Sequence, residues 1–273
     1  MTTTQQRVAE PAITEMQAQT MEPPPRRALV GEARAAVDAV RMLAPLAIAG
    51  WQRRIDSEEH VIVVPGFGAD DKSTLPLRHY LRKRGFSVEG WGLGRNMAGT
   101  DLPHDLDDLM PRWSFNLREP YRGEAGVAYL CDRLYERVLE RHQALDKPIA
   151  LVGWSLGGYL AREVARDLEI VQRVVTLGSP VVGGPKYTAA AAFFKQRGMD
   201  LDWIEDETGR REERPIDQPV TAIFSKSDGI VSWPAAIDRY SSTVEHIELD
   251  VAHLGMALNP KVWSYVVAAL DPA

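Results

Sequence analysis

Pro148-Ile-Ala-Leu-Val-Gly-Trp-Ser-Leu-Gly-Gly-Tyr-Leu160 decides the fold of this chain. Residues 149–152 are a short apolar run bounded by proline, the pattern of a fully buried strand. The run passes directly into Gly153-Trp154-Ser155-Leu156-Gly157, and residues 159–168 then read as a helix. Gly-x-Ser-x-Gly between strand and helix is a nucleophile elbow. A serine at so sharp a turn is held in a strained backbone conformation. Side chains at Gly153 and Gly157 would collide as the strand and helix fold back on each other. Ser155 therefore projects alone, with the positive end of the following helix pointing at it.

Working outward, strands and helices alternate. Residues 60–64 (His-Val-Ile-Val-Val) are β-branched and end at Pro65-Gly66-Phe67-Gly68, so they predict a buried strand and a glycine-rich turn. A helix is expected over 73–84 with Gly85 as its stop, and a strand over 87–91. Residues 92–122 form a long irregular connection of the kind that carries function. An amphipathic helix over 124–143 leads back to the elbow strand. Further strands are expected over 173–177, 220–224 and 244–249, the last at a sheet edge, with a closing helix over 260–270 that starts at Pro260. The fold class is α/β, a mostly parallel sheet of about six strands flanked by helices.

Residues 1–27 are rich in Thr, Gln, Glu and Pro and read as a disordered or loosely attached tail. Residues 28–59 are an N-terminal helical segment docked on the core. Leu29, Ala33, Ala36, Val37, Val40, Leu43 and Ala44 form one apolar face, and Pro45 is expected to end or kink that helix. Contact of residues 28–51 with a membrane surface is the alternative to docking. Residues 60–273 form the main domain. Residues 181–219 break its rhythm with Phe193, Phe194, Trp203 and a charged run, and read as an inserted lid.

The bulk numbers narrow the partners. At 273 residues, 45% hydrophobic and 26% charged, the chain has the makeup of an ordinary globular protein. The net charge of −6 gives no footprint for nucleic acid. Cys131 is the only cysteine, which removes an intramolecular disulfide and any cysteine-based metal site. No run reaches the ~18–20 apolar residues of a membrane span. The N-terminus lacks a basic-then-apolar leader pattern, so a cytoplasmic location is the expectation. No cofactor or metal is expected.

A serine hydroxyl needs a base within hydrogen-bond reach. Of six histidines, His79 and His142 fall on charged helices, His60 and His246 lie in strands, and His104 lies in the long connection. His253 alone follows the last strand in a short loop, where the chemistry of a parallel sheet collects. Asp228 follows a strand and precedes Gly229, and can hold the imidazole; Asp250, three residues from His253, is its rival. The order Ser155, Asp228, His253 fits this architecture. The Leu156 N–H and the Phe67 N–H, with Gly68 as the alternative to Phe67, are the expected oxyanion donors.

These residues resemble the α/β-hydrolase superfamily, and within it the serine lipases and esterases. Leu177-Gly-Ser-Pro180 and Ser227-Asp-Gly-Ile-Val-Ser-Trp233 are similar to bacterial lipase loops, while Pro65-Gly66 stands where many members have His-Gly. The resemblance implies cleavage of carboxylic esters through an acyl-enzyme on Ser155. Trp154, Phe193, Phe194 and Trp203 are the expected walls for an apolar acyl or alcohol group. Acyl transfer, thioester cleavage and a catalytically silent binding protein are the alternatives on the same frame. Gly66-Phe-Gly-Ala-Asp-Asp-Lys-Ser73 nearly spells a phosphate-binding loop, but Asp71 stands where a glycine must precede the lysine.

Overall fold

The computed structural model describes residues 20–102, 105–113 and 122–271. The expected tail falls mostly outside them, as does His104. After a 3₁₀ turn over Arg26–Arg34, the elements are α1 (Ala35–Arg41), α2 (Leu43–Ile48), β1 (His60–Val64), α3 (Leu75–Arg84), β2 (Ser87–Gly90), α4 (Gly126–Leu145), β3 (Ile149–Trp154), α5 (Leu156–Asp167), β4 (Val171–Leu177), α6 (Ala191–Gln196), α7 (Leu201–Arg211), β5 (Val220–Phe224), β6 (Val244–Glu248) and α8 (Pro260–Leu270).

The six strands run in the order β2-β1-β3-β4-β5-β6, and all neighbours are parallel. Alternate strand residues face opposite sides, so the sheet has two cores. Val61, Val63, Ala150, Val152 and Val175 pack against α3 and α8, with Leu77, Leu81 and Trp263 facing them. Ile62, Val64, Ile149, Leu151 and Val174 pack against α4 and α5, with Leu134 and Leu160 facing them. Both faces of the central strands are covered, which is why they read as unbroken apolar runs rather than alternations. Each such side chain taken out of water contributes about 1.5–3 kcal/mol.

Local signals set the element ends. Gly85 closes α3 in the left-handed region at φ 106°. The Asn259 side chain caps α8 by accepting from the Lys261 N–H at 2.8 Å, and Pro260 takes the first helical position. Chain direction reverses about β1: β2 is added on one side of it and β3 on the other. The loops leaving the carboxyl ends of β1 and β3 therefore part, and the crevice between them is where such a sheet binds.

The N-terminal segment departs from expectation in its burial. The helical run breaks at Met42, between α1 and α2, and Pro45 follows in the first turn of α2, where its missing N–H would have had no intrahelical partner. The apolar stripe faces outward: Leu29, Val37, Val40 and Leu43 are exposed, as are Val30 and Ile48 off it, and Trp51 is 92% exposed. The buried side chains of the 3₁₀ turn and α1 are instead Glu32 and Asp38. Buried carboxylates require donors, and both find them on the loops at the carboxyl end of the sheet. Among the described residues no helix is long and apolar enough to cross a membrane.

Candidate active site

Ser155 sits at the junction of β3 and α5 with φ 55° and ψ −127°, one of three non-glycine residues with positive φ among the described residues. The turn is that tight because nothing else fits. A Cβ on Gly153 would lie 2.3 Å from the Gly158 Cα, and one on Gly157 would lie 2.3 Å from the Val64 carbonyl oxygen. The Ser155 N–H donates to the Leu177 carbonyl at 2.8 Å, which ties the turn to the end of β4. The N-terminal amides of α5 converge beneath the serine.

His253 occupies a 3₁₀ turn, His253–Gly255, shortly after β6 and is 2% exposed. Its Nδ1 donates to Asp228 Oδ2 at 2.7 Å. Asp228 Oδ1 accepts from the Ile230 N–H at 2.8 Å and the Val231 N–H at 2.7 Å. The carboxylate is thus oriented by its own loop, and the imidazole by the carboxylate. That bond places the proton on Nδ1 and leaves Nε2 as the acceptor. Asp250, the rival, points elsewhere: it pairs with Arg34 at 3.0 Å in an exposed position, and hydrogen bonds from Ser227 first and Arg34 second hold its carboxyl below the usual range. Burial pushes the Cys131 thiol well up, so it is no competing nucleophile.

A cavity of about 250 Å³ opens over this end of the sheet. Ser155, Trp154, Leu156, Phe67, Phe194, Trp203 and His253 all line it. Asp228 stands behind His253, away from the cavity. Phe193 is outside the wall but packs on it, its ring 5.4 Å from that of Phe67 and 5.2 Å from that of Phe194. Trp154 has a second role: its indole N–H donates to the His253 carbonyl at 3.1 Å, and the two rings lie 5.8 Å apart. The Gly68 N–H is occupied by the Asn96 carbonyl at 2.7 Å; among the described residues the Phe67 N–H has no such bond.

Several contributors carry no motif. Asn96, fully buried, donates from Nδ2 to the Pro65 carbonyl at 2.8 Å and so holds the Pro65–Gly68 turn from below. Its only trace in the sequence is an asparagine in a glycine-rich stretch of the connection. Trp113, Met199 and Ile204 complete the apolar wall, brought there by the connection before α4 and by the α6–α7 region. Asp71, the residue that spoils the phosphate-loop pattern, accepts from the Trp91 N–H at 3.0 Å and the Gly92 N–H at 3.1 Å. Its carboxylate terminates β2 rather than facing a ligand.

Residues of the α6–α7 region form part of the cavity wall. Its far end is pinned by buried ion pairs: Arg162 on α5 reaches Glu212 at 2.8 Å and Asp238 at 3.0 Å, and Arg211 reaches Glu163 at 2.7 Å. Its near end is held by Tyr187, whose hydroxyl donates to Glu205 at 2.5 Å. The phenylalanines of α6 rest on Phe67, so the α6–α7 region and the turn after β1 share one apolar contact.

Comparison with known proteins points the same way. Residues 61–273 match the model of the alpha/beta hydrolase family. Among solved structures, the Bacillus licheniformis lipase BlEst2 aligns with a TM-score of 0.54 at 12% identity, over 81% of this chain and 95% of that one. A chain of the metagenome-derived lipolytic enzymes LipS and LipT aligns at 0.52 and 13% identity, over 80% and 96%. The Paleococcus ferrophilus monoacylglycerol lipase aligns at 0.51 and 14% identity, over 80% and 97%. At these identities the likeness is one of fold. No curated protein matches the chain in sequence.

Proposed function

The chain belongs to the α/β-hydrolase family, and from that premise we propose that it is a serine hydrolase of carboxylic esters with an apolar acyl or alcohol part. The observation that carries this reading is the 2.7 Å bond from His253 Nδ1 to Asp228 Oδ2 beside a strained, cavity-lining serine. His253 Nε2 takes the Ser155 proton as Oγ attacks the ester carbonyl. The Leu156 and Phe67 amides receive the oxyanion, each such donor being worth ~10²–10³ in kcat. His253 then returns the proton to the departing alcohol, and water releases the acyl group by the same steps. Trp154, Phe194 and Trp203 supply an apolar wall, with Phe193 behind it, which favours a hydrocarbon chain over a charged group.

An apolar cavity wall also favours transfer of the acyl group to a second alcohol, because it lowers the water around the acyl-enzyme. A thioester would use the same residues. Intact-mass and peptide mapping after fluorophosphonate treatment tests the common step. A single adduct on Ser155, absent in Ser155→Ala and suppressed in His253→Ala, is expected. No adduct in folded protein, with detergent present, would leave a silent binding protein as the reading. An ester panel graded by chain length, run with and without an acceptor alcohol, then separates hydrolysis from transfer.

A lipid surface is the proposed source of substrate. Val30, Val37, Val40, Leu43, Ile48 and Trp51 present an exposed apolar face, and exposed Arg26, Arg27, Arg41, Arg53 and Arg54 flank it. Such a pairing suits an interface with anionic headgroups, at about 1 kcal/mol per basic residue. The 3₁₀ turn Arg26–Arg34 packs beside His253–Gly255, and Leu254 of that turn lines the cavity, which supports a protein that takes its substrate from the surface it rests on. Co-sedimentation with phosphatidylglycerol vesicles but not phosphatidylcholine vesicles, lost in Val40→Asp/Trp51→Asp, is expected. Equal binding of both proteins would count against it.

A further inference from the structure

Glu32 lies about 200 residues away in sequence from the two loops that carry Asp228 and His253, yet its side chain touches both. Its Oε1 accepts from the Gly229 N–H at 2.8 Å and from the His253 N–H at 3.1 Å. Its Oε2 accepts from the Leu254 N–H at 2.8 Å. The residue is 6% exposed. One carboxylate therefore satisfies three backbone donors, one directly after the acid and two at the base.

Those loops leave neighbouring strands, β5 and β6, and are tied directly where the Val251 N–H donates to Ser225 Oγ at 3.3 Å and where His253 meets Asp228. A shared acceptor adds a further constraint: Gly229 and His253 must stand where a single oxygen reaches both. The surroundings are shaped for this. A Cβ at Gly229 would lie 2.4 Å from the Ala28 carbonyl oxygen and 3.0 Å from Glu32 Oε1, so the loop meets the N-terminal segment with no room for a side chain. On the same segment Asp38 accepts from Asn259 Nδ2 at 2.8 Å, which anchors the far side of the His253 turn. This accounts for the inverted burial of the segment: its acids face the site because the site's loop amides need an acceptor that water, excluded there, cannot supply.

We propose that Glu32 is a positioning residue of the active centre, holding the Asp228 loop and the His253 loop at the spacing the triad requires. It touches no reacting atom and acts through backbone amides alone. The inference rests on the hydrolase reading for its catalytic consequence, but not for its structural one. Charged acceptors make the stronger hydrogen bonds to amides, and this one makes three. A displacement of ~1 Å in a catalytic group costs on the order of 10²-fold in rate.

The test compares Glu32→Ala, Glu32→Gln and Arg34→Ala with wild type. Glutamine keeps one oxygen for Gly229 and His253 but turns an NH₂ towards the Leu254 N–H. Arg34→Ala removes an exposed tie between the same segment and the same loop, at Asp250. On a short p-nitrophenyl ester, Glu32→Ala is expected to lose on the order of 10²-fold in kcat with KM changed less than about 3-fold, because substrate binding uses other residues. Glu32→Gln is expected to lose about 3–10-fold, and Arg34→Ala none. Fluorophosphonate labelling of Ser155 should slow in the same order. Wild-type kcat in folded Glu32→Ala, or an equal loss in Arg34→Ala, would overturn the proposal. Should Glu32→Ala fail to fold, wild-type kcat in Glu32→Gln overturns it. Should wild type itself show no Ser155 adduct, the hydrolase reading fails by itself. Amide hydrogen exchange at Gly229, His253 and Leu254 then decides for Glu32: faster exchange in either Glu32 variant supports the tie, and unchanged exchange overturns it.

Discussion

Asp228 and His253, on loops from neighbouring strands, share a 2.7 Å bond in which the second carboxylate oxygen is already saturated by the Ile230 and Val231 amides. The carboxylate has one orientation available, and it dictates the tautomer of the imidazole. Asp228→Asn should keep the fold, since an amide oxygen can still accept from Ile230 and Val231. Its NH₂ then faces Nδ1 and forces the other tautomer, which leaves Nε2 protonated. A fall of ~10⁴ in kcat with little change in melting temperature is expected. A loss below tenfold on steady-state ester assays would mean that Asp228 does not orient the base.

Ser155 holds its position at a cost. With φ 55° in a residue that carries a Cβ, the backbone stores on the order of 1–3 kcal/mol. Ser155→Gly removes that strain and returns part of it as unfolded-state entropy. A gain of about 1 kcal/mol in urea denaturation, with complete loss of activity, is the expected outcome. A destabilised variant would mean that the turn is relaxed in spite of its dihedrals.

The ion-pair cluster between α5 and the end of α7 is a third point of attack. Arg162 and its partners Glu212 and Asp238 are all essentially inaccessible. Desolvation acts against the charge on Arg162, but its carboxylate neighbours override it and raise its pKa; on Asp238 desolvation is outweighed chiefly by Arg162, which holds that carboxyl low. Removing the arginine alone strands the buried Asp238 carboxylate and leaves Glu212 to Arg166 alone, which pairs with it at 3.0 Å. Arg162→Ala should therefore lose about 3–5 kcal/mol, whereas Arg162→Met/Glu212→Leu/Asp238→Asn should recover much of it. Chemical denaturation of the two variants separates these outcomes. Equal losses would mean that packing, not charge pairing, is what the cluster provides.

His246 on β6 and His60 on β1 set an acid limit on stability. Burial lowers the pKa of both below the ordinary 6.5, against partial opposition from Asp238 and Glu89 respectively. The folded state then binds fewer protons than the unfolded one. Stability from these groups is fully present above 6.5 and is lost as pH falls below it towards the folded-state values. Melting temperatures between pH 8 and 5 should decline below about 6.5, and His246→Leu should flatten that decline. An unchanged slope in the variant would assign the decline to other groups.

The fold was legible because its evidence is local. Buried parallel strands announce themselves as apolar runs such as residues 60–64 and 149–152, and the sheet has the six strands expected. The elbow is legible for the same reason: Gly153 and Gly157 are required by contacts within a few residues of Ser155 or directly across to β1. The order of Ser155, Asp228 and His253 along the chain, with one strand-end loop each, needed only the rule that parallel sheets work at their carboxyl ends.

Other features depended on contacts between segments far apart in sequence. Helical periodicity in residues 28–44 marked an apolar face correctly as a face, but not which way it points. Glu32 and Asp38 face inward because unpaired loop amides and Asn259 on the body outweigh the burial of a few valines. Nothing near Glu32 in the sequence records that demand. Asn96 beneath the Pro65–Gly68 turn, and Trp113 and Met199 in the cavity wall, are likewise ordinary residues made significant by what lies opposite. Sequence alone determined the strand order of chemistry along the chain. Only the tertiary structure decided which buried polar groups face one another, because hydrogen-bond partners a hundred or more residues apart leave no periodic signal.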